Sequence, residues 1–258
     1  MKRDRAVVVT GLGLVILLSW LYVLTGAGMD MSVSEMTGMS SQDLSVGATL
    51  MTPGTWSPGY AVLMFFMWWI MMIAMMLPSA APMILLFAAV NRKQREKGNP
   101  YTSTGLFALA YLVTWAAFSV VATALQAAFQ HVAWLSPTLS ATNSLLAGTL
   151  LVAAGVYQLT PIKQACLRHC RSPLVFVTTR WRPGHLGALR MGVEHGAYCV
   201  GCCWFLMGLL FFGGAMNLYW IVGLAALVLV EKTAPHVQWM SYLLGVALAG
   251  WGTWIIVS

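Results

Sequence analysis

The chain has 258 residues, of which 59% are hydrophobic and only 8% are charged, and its mean hydropathy is +0.77. A soluble domain carries about a quarter charged residues, so this chain lacks the polar groups to cover a water-facing surface. The composition excludes a soluble globular enzyme, a disordered protein and a disulfide scaffold. Twelve Trp, ten Phe and seventeen Met indicate an all-α, polytopic bundle of transmembrane helices whose first partner is the lipid bilayer.

Seven apolar stretches follow one another along the chain. A helix needs about 20 apolar residues to cross the hydrocarbon layer, and such stretches lie at 6–26, 60–90, 105–130, 141–162, 189–214, 218–235 and 238–257. The alternating pattern of barrel strands is absent, so helices satisfy the backbone in lipid. We predict one integral membrane domain, 1–258, of about seven helices, with an outer loop at 28–58 and a cytoplasmic loop at 163–188.

Two of these stretches carry special features. The first resembles a signal peptide because Lys2–Arg5 form a charged start, but its long apolar run and poor cleavage site favour a retained helix. The second contains Pro78 and Pro82, and proline removes a backbone donor and clashes with the preceding turn. We therefore expect a kink near Leu77.

The basic residues predict an orientation. With the N-terminus in the cytoplasm, all fourteen Lys and Arg fall in the cytoplasmic segments 1–5, 91–104, 163–190 and 231–237, and Asp30, Glu35 and Asp43 fall in the outer loop. Cytoplasmic loops of membrane proteins show this bias. The net charge of +7 is thus a topology signal of a multi-pass membrane protein, with anionic lipid of the inner leaflet as its natural partner. Nucleic-acid binding has no further support.

The fifth stretch carries the strongest chemical signal, a row of sulfur and nitrogen ligands. At about 100° per residue, one helical face collects five candidates: Met191, His195, Cys199, Cys202 and Cys203. Thiolate, imidazole and thioether together select Cu(I) first, with Zn(II) or an iron–sulfur cluster as alternatives. A lone buried Cys is usually a packing residue, but three with a His favour a metal or redox site.

Further ligands must come from another helix, because the adjacent thiols of Cys202 and Cys203 cannot easily chelate one ion from a regular helix. Three glycines on the same stretch, Gly192, Gly196 and Gly201, would let another helix approach closely. The fifth stretch is therefore predicted to pack tightly against its neighbours.

The cytoplasmic loop offers a second sulfur group in Lys163–Arg171. If this segment is helical, Cys166 and Cys170 point the same way, and His169 is a neighbour of both. A metal site and a pair of free or palmitoylated thiols are equally supported. All five Cys lie in the predicted cytoplasmic half, so disulfides are not expected.

Methionine forms a third group on the second stretch. Two stripes at helical spacing contain Met67, Met71 and Met75, and Met72 and Met76. A thioether is neutral and prefers Cu(I) or Ag(I), and the spacing resembles the Met pairs of eukaryotic high-affinity copper importers in that detail only. Packing is the more common role of such stripes.

The outer loop favours a metal-binding role for the methionines over a packing role. It adds five more methionines, a composition similar to the Met-rich segments of periplasmic copper-handling proteins: Met29, Met31, Met36, Met39 and Met51. A solvated loop gains little from thioethers unless they bind something or touch the bilayer, so a copper pathway becomes a hypothesis.

Three charges lie at membrane depth, where ionisable groups are functional candidates. We expect Lys232 to extend to the interface. For Glu194 and Glu231, pairing with a cytoplasmic Arg and a functional role both stay open. The chain has no P-loop, no G-x-S-x-G and no H-E-x-x-H motif. ATP-driven transport by this chain alone is excluded, and we do not expect an enzyme.

Five segments together resemble a known family: Met71–Pro78, Gln158–Arg171, Trp181–Gly184, Arg190–Trp204 and Glu231–Lys232. They are similar to the bacterial family of predicted metal-binding integral membrane proteins, over roughly residues 60 to 235. The resemblance implies metal binding by the same Cys, His and Met positions. It does not select transport, chaperoning or catalysis.

The leading hypothesis is an inner-membrane protein that binds Cu(I) and moves it or hands it on, with a cytoplasmic or periplasmic acceptor protein. Alternatives are a delivery factor for a membrane metalloenzyme, a thiol- or haem-based redox enzyme, and thioethers and thiols that only pack. The odd number of thiols also leaves room for a site shared between two copies of the chain.

Overall fold

Ten α-helices make up most of the chain in a computed structural model, which describes residues 2–26, 56–96, 104–136, 139–234 and 238–258. One isolated β-bridge, Leu135 with Ala141, is the other element in these ranges. The helices are α1 Lys2–Leu24, α2 Pro58–Glu96, α3 Thr104–His131, α4 Ser144–Leu159, α5 Pro161–Arg171, α6 Pro173–Thr179, α7 Gly184–Gly208, α8 Leu210–Gly213, α9 Leu218–Thr233 and α10 Gln238–Val257.

Five described helices are long and apolar enough to cross a membrane: α1, α2, α3, α7 with its continuation α8, and α10. The bent pair α4–α5 raises the number to six if it forms one span. The stretch expected at 218–235 is the 16-residue helix α9, about 24 Å long at roughly 1.5 Å per residue, short of a hydrocarbon layer of about 30 Å. The all-helical, multi-pass prediction is supported, while seven spans and the cytoplasmic N-terminus stay predictions.

The α4–α5 pair bends by 66° at one residue. Thr160 is extended (φ −73°, ψ 145°), and its hydroxyl accepts a hydrogen bond from the Lys163 amide while Pro161 opens α5. Proline disfavours helical backbone in the residue before it and suits the first turn of the next helix. The segment predicted as a loop at 163–188 is therefore mostly helical, since α5, α6 and the start of α7 occupy it.

Helix α2 runs through the centre and is unbroken at Pro78 and Pro82. The carbonyl of Met76 accepts hydrogen bonds from the Ser79 hydroxyl at 2.8 Å and from the Tyr111 hydroxyl at 3.3 Å. Serine hydroxyls inside helices often bond a carbonyl of the preceding turn in this way. The second stretch is thus one helix that passes both prolines, with Met76 two residues before Pro78.

Glycines lie at several close contacts between helices. Gly155 of α4 lies against the backbone of α10, where an added Cβ would come within 2.6 Å of the Gly245 carbonyl oxygen. On α7, Gly192 faces Phe107 of α3, and Gly201 faces the Cys166 thiol of α5. The prediction that glycines let other helices approach α7 closely is confirmed.

Replacing Gly155 with Leu should lower the melting temperature of the detergent-purified protein. The new side chain has no room between α4 and α10, and overpacking of this kind costs about 1–3 kcal/mol or more. Gly250→Leu on α10 is the matched control, because Gly250 is exposed and nothing lies within 4 Å of its added Cβ. Equal melting temperatures of Gly155→Leu and wild type would contradict the α4–α10 contact.

Candidate metal centre

The five ligand candidates on α7 all point into the protein. Met191, His195, Cys199, Cys202 and Cys203 are each at most 3% exposed. Positions on the other side of the helix, such as Val193 at 48% and Trp204 at 42%, are open. The helical periodicity therefore identified the buried face correctly.

Sulfur atoms from two other helices meet this face. The Cys203 Sγ lies 3.8 Å from the Met76 Sδ of α2, and the Cys202 Sγ lies 3.9 Å from the Cys170 Sγ of α5. A metal held at about 2.3 Å from two sulfurs at these separations would subtend an angle of about 110–115°. Each pair is thus spaced as two ligands of one soft metal ion.

Lys232 enters the same cluster from α9. Its Nζ donates to the Cys199 Sγ at 2.9 Å and lies 3.3 Å from the Ser79 Oγ and 3.8 Å from the Met76 Sδ. The side chain is 7% exposed. The prediction that Lys232 extends to the interface is therefore wrong: α9 packs against α2, and this directs the ammonium inward.

Cys199 receives a second hydrogen-bonding neighbour from α3. The Tyr111 hydroxyl lies 3.1 Å from its Sγ, so a phenol and an ammonium converge on one thiol. A buried ammonium requires an anionic partner, and the thiolate form of Cys199 supplies one. Sequence periodicity did not signal Tyr111, since an isolated Tyr in an apolar helix resembles any packing residue.

His195 lies one turn before Cys199, among aromatic rings. Its ring centroid is 5.6 Å from that of Tyr111 and 5.7 Å from that of Phe176. Its Nδ1 is buried and has no hydrogen-bond partner among the described residues. Buried polar atoms without a partner are rare, so this nitrogen is available as a further ligand.

The remaining predicted ligands lie around the cluster with different contacts. Met67, Met71, Met72 and Met75 are buried along α2 at 2% exposure or less, while Met76 is the stripe member whose sulfur contacts the site. The five outer-loop methionines lie outside the described residues.

On α5, the predicted arrangement of the two thiols and the histidine is only partly found. Cys166 is half-buried against Gly201, and Cys170 reaches Cys202. His169 instead stacks on Tyr198 with ring centroids 4.0 Å apart, and its Nδ1 contacts the Ala165 carbonyl oxygen at 2.9 Å. The histidine is therefore held against α7 by its ring rather than grouped with the thiols.

The two membrane-depth carboxylates have separate partners. Glu194 pairs with Arg180 at 2.6 Å, which is one of the two roles left open for it. Glu231 pairs with the buried Lys163 at 2.8 Å and accepts from Ser241 at 2.8 Å, and its carbonyl oxygen accepts from the Arg171 Nε at 2.6 Å. This buried network joins α5, α9 and α10 next to the sulfur cluster.

Removing one partner of the Lys163–Glu231 pair should destabilise the protein strongly. Lys163→Met would leave a buried carboxylate without its cation, a loss that typically costs about 3–5 kcal/mol. The melting temperature should fall and should recover in the double variant Lys163→Met/Glu231→Met, which removes both charges. A double variant as unstable as the single one would contradict this account.

Across the described ranges, no three His, Cys, Asp or Glu side chains are grouped closely enough to hold a metal ion by themselves. The cluster contains one thiol–thiol pair and one thiol–thioether pair. Such sulfur ligands favour a soft monovalent ion over a hard ion.

Residues 65–255 match the model of a protein family described as PpoB2, copper chaperone. The chain belongs to this copper chaperone family. The matched range contains the methionine stripes, all five cysteines and Lys232. No curated protein and no solved structure matches the chain. Membership in the copper chaperone family supports copper as the metal it handles, in agreement with the softness of its buried ligands.

Proposed function

We propose that this protein is a membrane-embedded chaperone that binds Cu(I) at its buried sulfur cluster and hands it to an acceptor metalloprotein. The observation that carries the proposal is the convergence of sulfurs from three helices: Met76 with Cys203, and Cys170 with Cys202. Copper is the cargo, and no chemical reaction is assigned to the chain. The length and hydropathy of the helices support a multi-pass location, and the distribution of basic residues favours a bacterial inner membrane.

Cu(I) fits these ligands because it is a soft ion and is stable with a low coordination number. Thiolate and thioether donors select Cu(I) over harder ions, and the thiols of α7 and the Met76 thioether are buried. Each thiol that binds copper releases its proton, so loading exchanges protons for the metal ion. Zn(II) is the second candidate, with His195 as its nitrogen ligand.

The two sulfur pairs suggest a route for the ion. Cys202 and Cys203 are adjacent on α7, so the Met76–Cys203 and Cys170–Cys202 pairs are neighbours. An ion can pass from one pair to the other by ligand exchange, in which it binds a sulfur of the second pair before it dissociates from the first. Cys170 and Cys166 are only half-buried, which makes α5 the side from which an acceptor would take the ion.

Replacing all three cysteines of α7 with serine should abolish copper binding, because both sulfur pairs lose a member. Elemental analysis of detergent-purified protein after loading with Cu(I) measures the copper content directly. Equal copper content in wild type and Cys199→Ser/Cys202→Ser/Cys203→Ser would contradict the proposal.

A matched pair of methionine variants tests the thioether. Met76→Leu should weaken Cu(I) binding, measured by competition with a Cu(I) chelator, because Met76 contacts the thiols. Met83→Leu on the same helix makes the same change at a buried position two turns away and should bind like wild type. Equal weakening in both variants would indicate a packing effect instead of ligation.

Movement of copper across the membrane is a second candidate function. The buried stripes of α2 favour it, because they place a row of thioethers that leads to Met76. Proteoliposomes that contain the purified protein distinguish the two: a transporter carries Cu(I) into the lumen, whereas a chaperone binds it and passes it only to an added acceptor.

A further inference from the structure

We infer that Lys232 makes the sulfur cluster selective for monovalent metal ions over divalent ones, by balancing the charge of a two-thiolate complex. This inference rests on the proposed function, since it concerns the metal that the same cluster binds. It assigns a specificity role to a residue outside the Cys, His and Met set.

Among the described residues, Lys232 has its hydrogen-bonding contacts with the cluster and with Ser79. Its Nζ lies 2.9 Å from the Cys199 Sγ and 3.8 Å from the Met76 Sδ, and its remaining contact is the uncharged Ser79 hydroxyl. The neighbouring Glu231 carboxylate is turned away from it and is engaged by Lys163 and Ser241. Within the described ranges, no carboxylate pairs with Lys232.

The other groups around the ammonium carry no fixed charge. Tyr111 and His195 lie beside Cys199 and contribute a phenol and an imidazole. The sulfur of Met76 is a neutral ligand. The charge of the site is therefore set by the metal ion, by the number of thiolates and by Lys232.

The charge balance applies to the ligands next to Lys232, which are Cys199, Cys203 and Met76; Cys202 belongs to the other pair, with Cys170. Cys199 and Cys203 are one helical turn apart on the buried face of α7, and Met76 lies between Cys203 and Lys232. Two thiolates around a monovalent ion carry one negative charge, which the ammonium neutralises. With a divalent ion, the complex of the ion and the two thiolates is already neutral. The ammonium then adds a positive charge that nothing compensates.

Burial makes this difference consequential. Cys199 and Cys203 are 1% exposed, and an unpaired charge in such an interior is strongly disfavoured. Lys232 thus favours Cu(I) and Ag(I) and disfavours Zn(II) and Cd(II). Without the ammonium the preference should shift toward divalent ions, since the neutral complex is then the divalent one.

The test compares Ag(I) and Cd(II) affinities of the full chain in lipid nanodiscs, each measured by competition with a chelator. Relative to wild type, Lys232→Gln should reduce the preference for Ag(I) over Cd(II) by about tenfold or more, equivalent to about 1.4 kcal/mol. Lys232→Arg keeps the charge and should keep the preference. Arg190→Gln removes an exposed charge from the same helix as the thiols and should leave the preference unchanged.

A second variant keeps Lys232 in place, so the test survives if Lys232→Gln fails to fold. Ser79→Asp puts a carboxylate at the residue whose hydroxyl oxygen now lies 3.3 Å from the Lys232 Nζ. It should also shift the preference toward Cd(II), whereas the uncharged Ser79→Asn should not. The inference is overturned if Lys232→Gln binds metal with an unchanged preference. If that variant does not fold, the same result in Ser79→Asp overturns it. In both cases the proposed function stands. Failure of wild type to bind either ion overturns the proposed function itself.

Discussion

The contact between the Lys232 ammonium and the Cys199 thiol is the constraint around which the centre of the molecule is organised. A buried ammonium cannot be left without an anionic partner, so α9, which carries the lysine, and α7, which carries the thiol, must be in register. Met76 of α2 lies within reach of both Lys232 and Cys203, which adds the third helix. Packing of these helices therefore positions the sulfur atoms, and the same contact that specifies the core also determines the electrostatics seen by a metal ion.

Glu231 and Lys232 are neighbours in sequence, yet their side chains have different partners. About 100° separates successive residues on a helix, so the carboxylate turns toward Lys163 and Ser241 while the ammonium turns toward the thiols. The two opposite charges do not neutralise each other. The Lys232 ammonium therefore lies next to the sulfur cluster without a carboxylate beside it, in a region that has few charges.

Much of the fold and part of the site were predictable from the sequence. Hydropathy located the long apolar helices, and the period of the helix identified the buried face of α7 from Met191 to Cys203. Periodicity, however, describes one helix at a time and does not say which neighbour its face meets. Lys232 therefore looked like an interfacial residue and Lys163 like part of a charged loop, although both are buried. Tyr111 and Ser79 carried no pattern, because their roles arise only from helix packing.

The one-residue joint at Thr160 has a mechanical consequence for the two sulfur pairs. Cys170 belongs to a short helix that is connected to α4 by a single extended residue, whereas Met76 belongs to a 39-residue helix in the centre of the bundle. Rotation about that joint would change the Cys170–Cys202 separation and leave the Met76–Cys203 separation intact. The two sulfur pairs thus differ in how their helices are connected, and the Lys163–Glu231 pair ties the short helix to α9 across that joint.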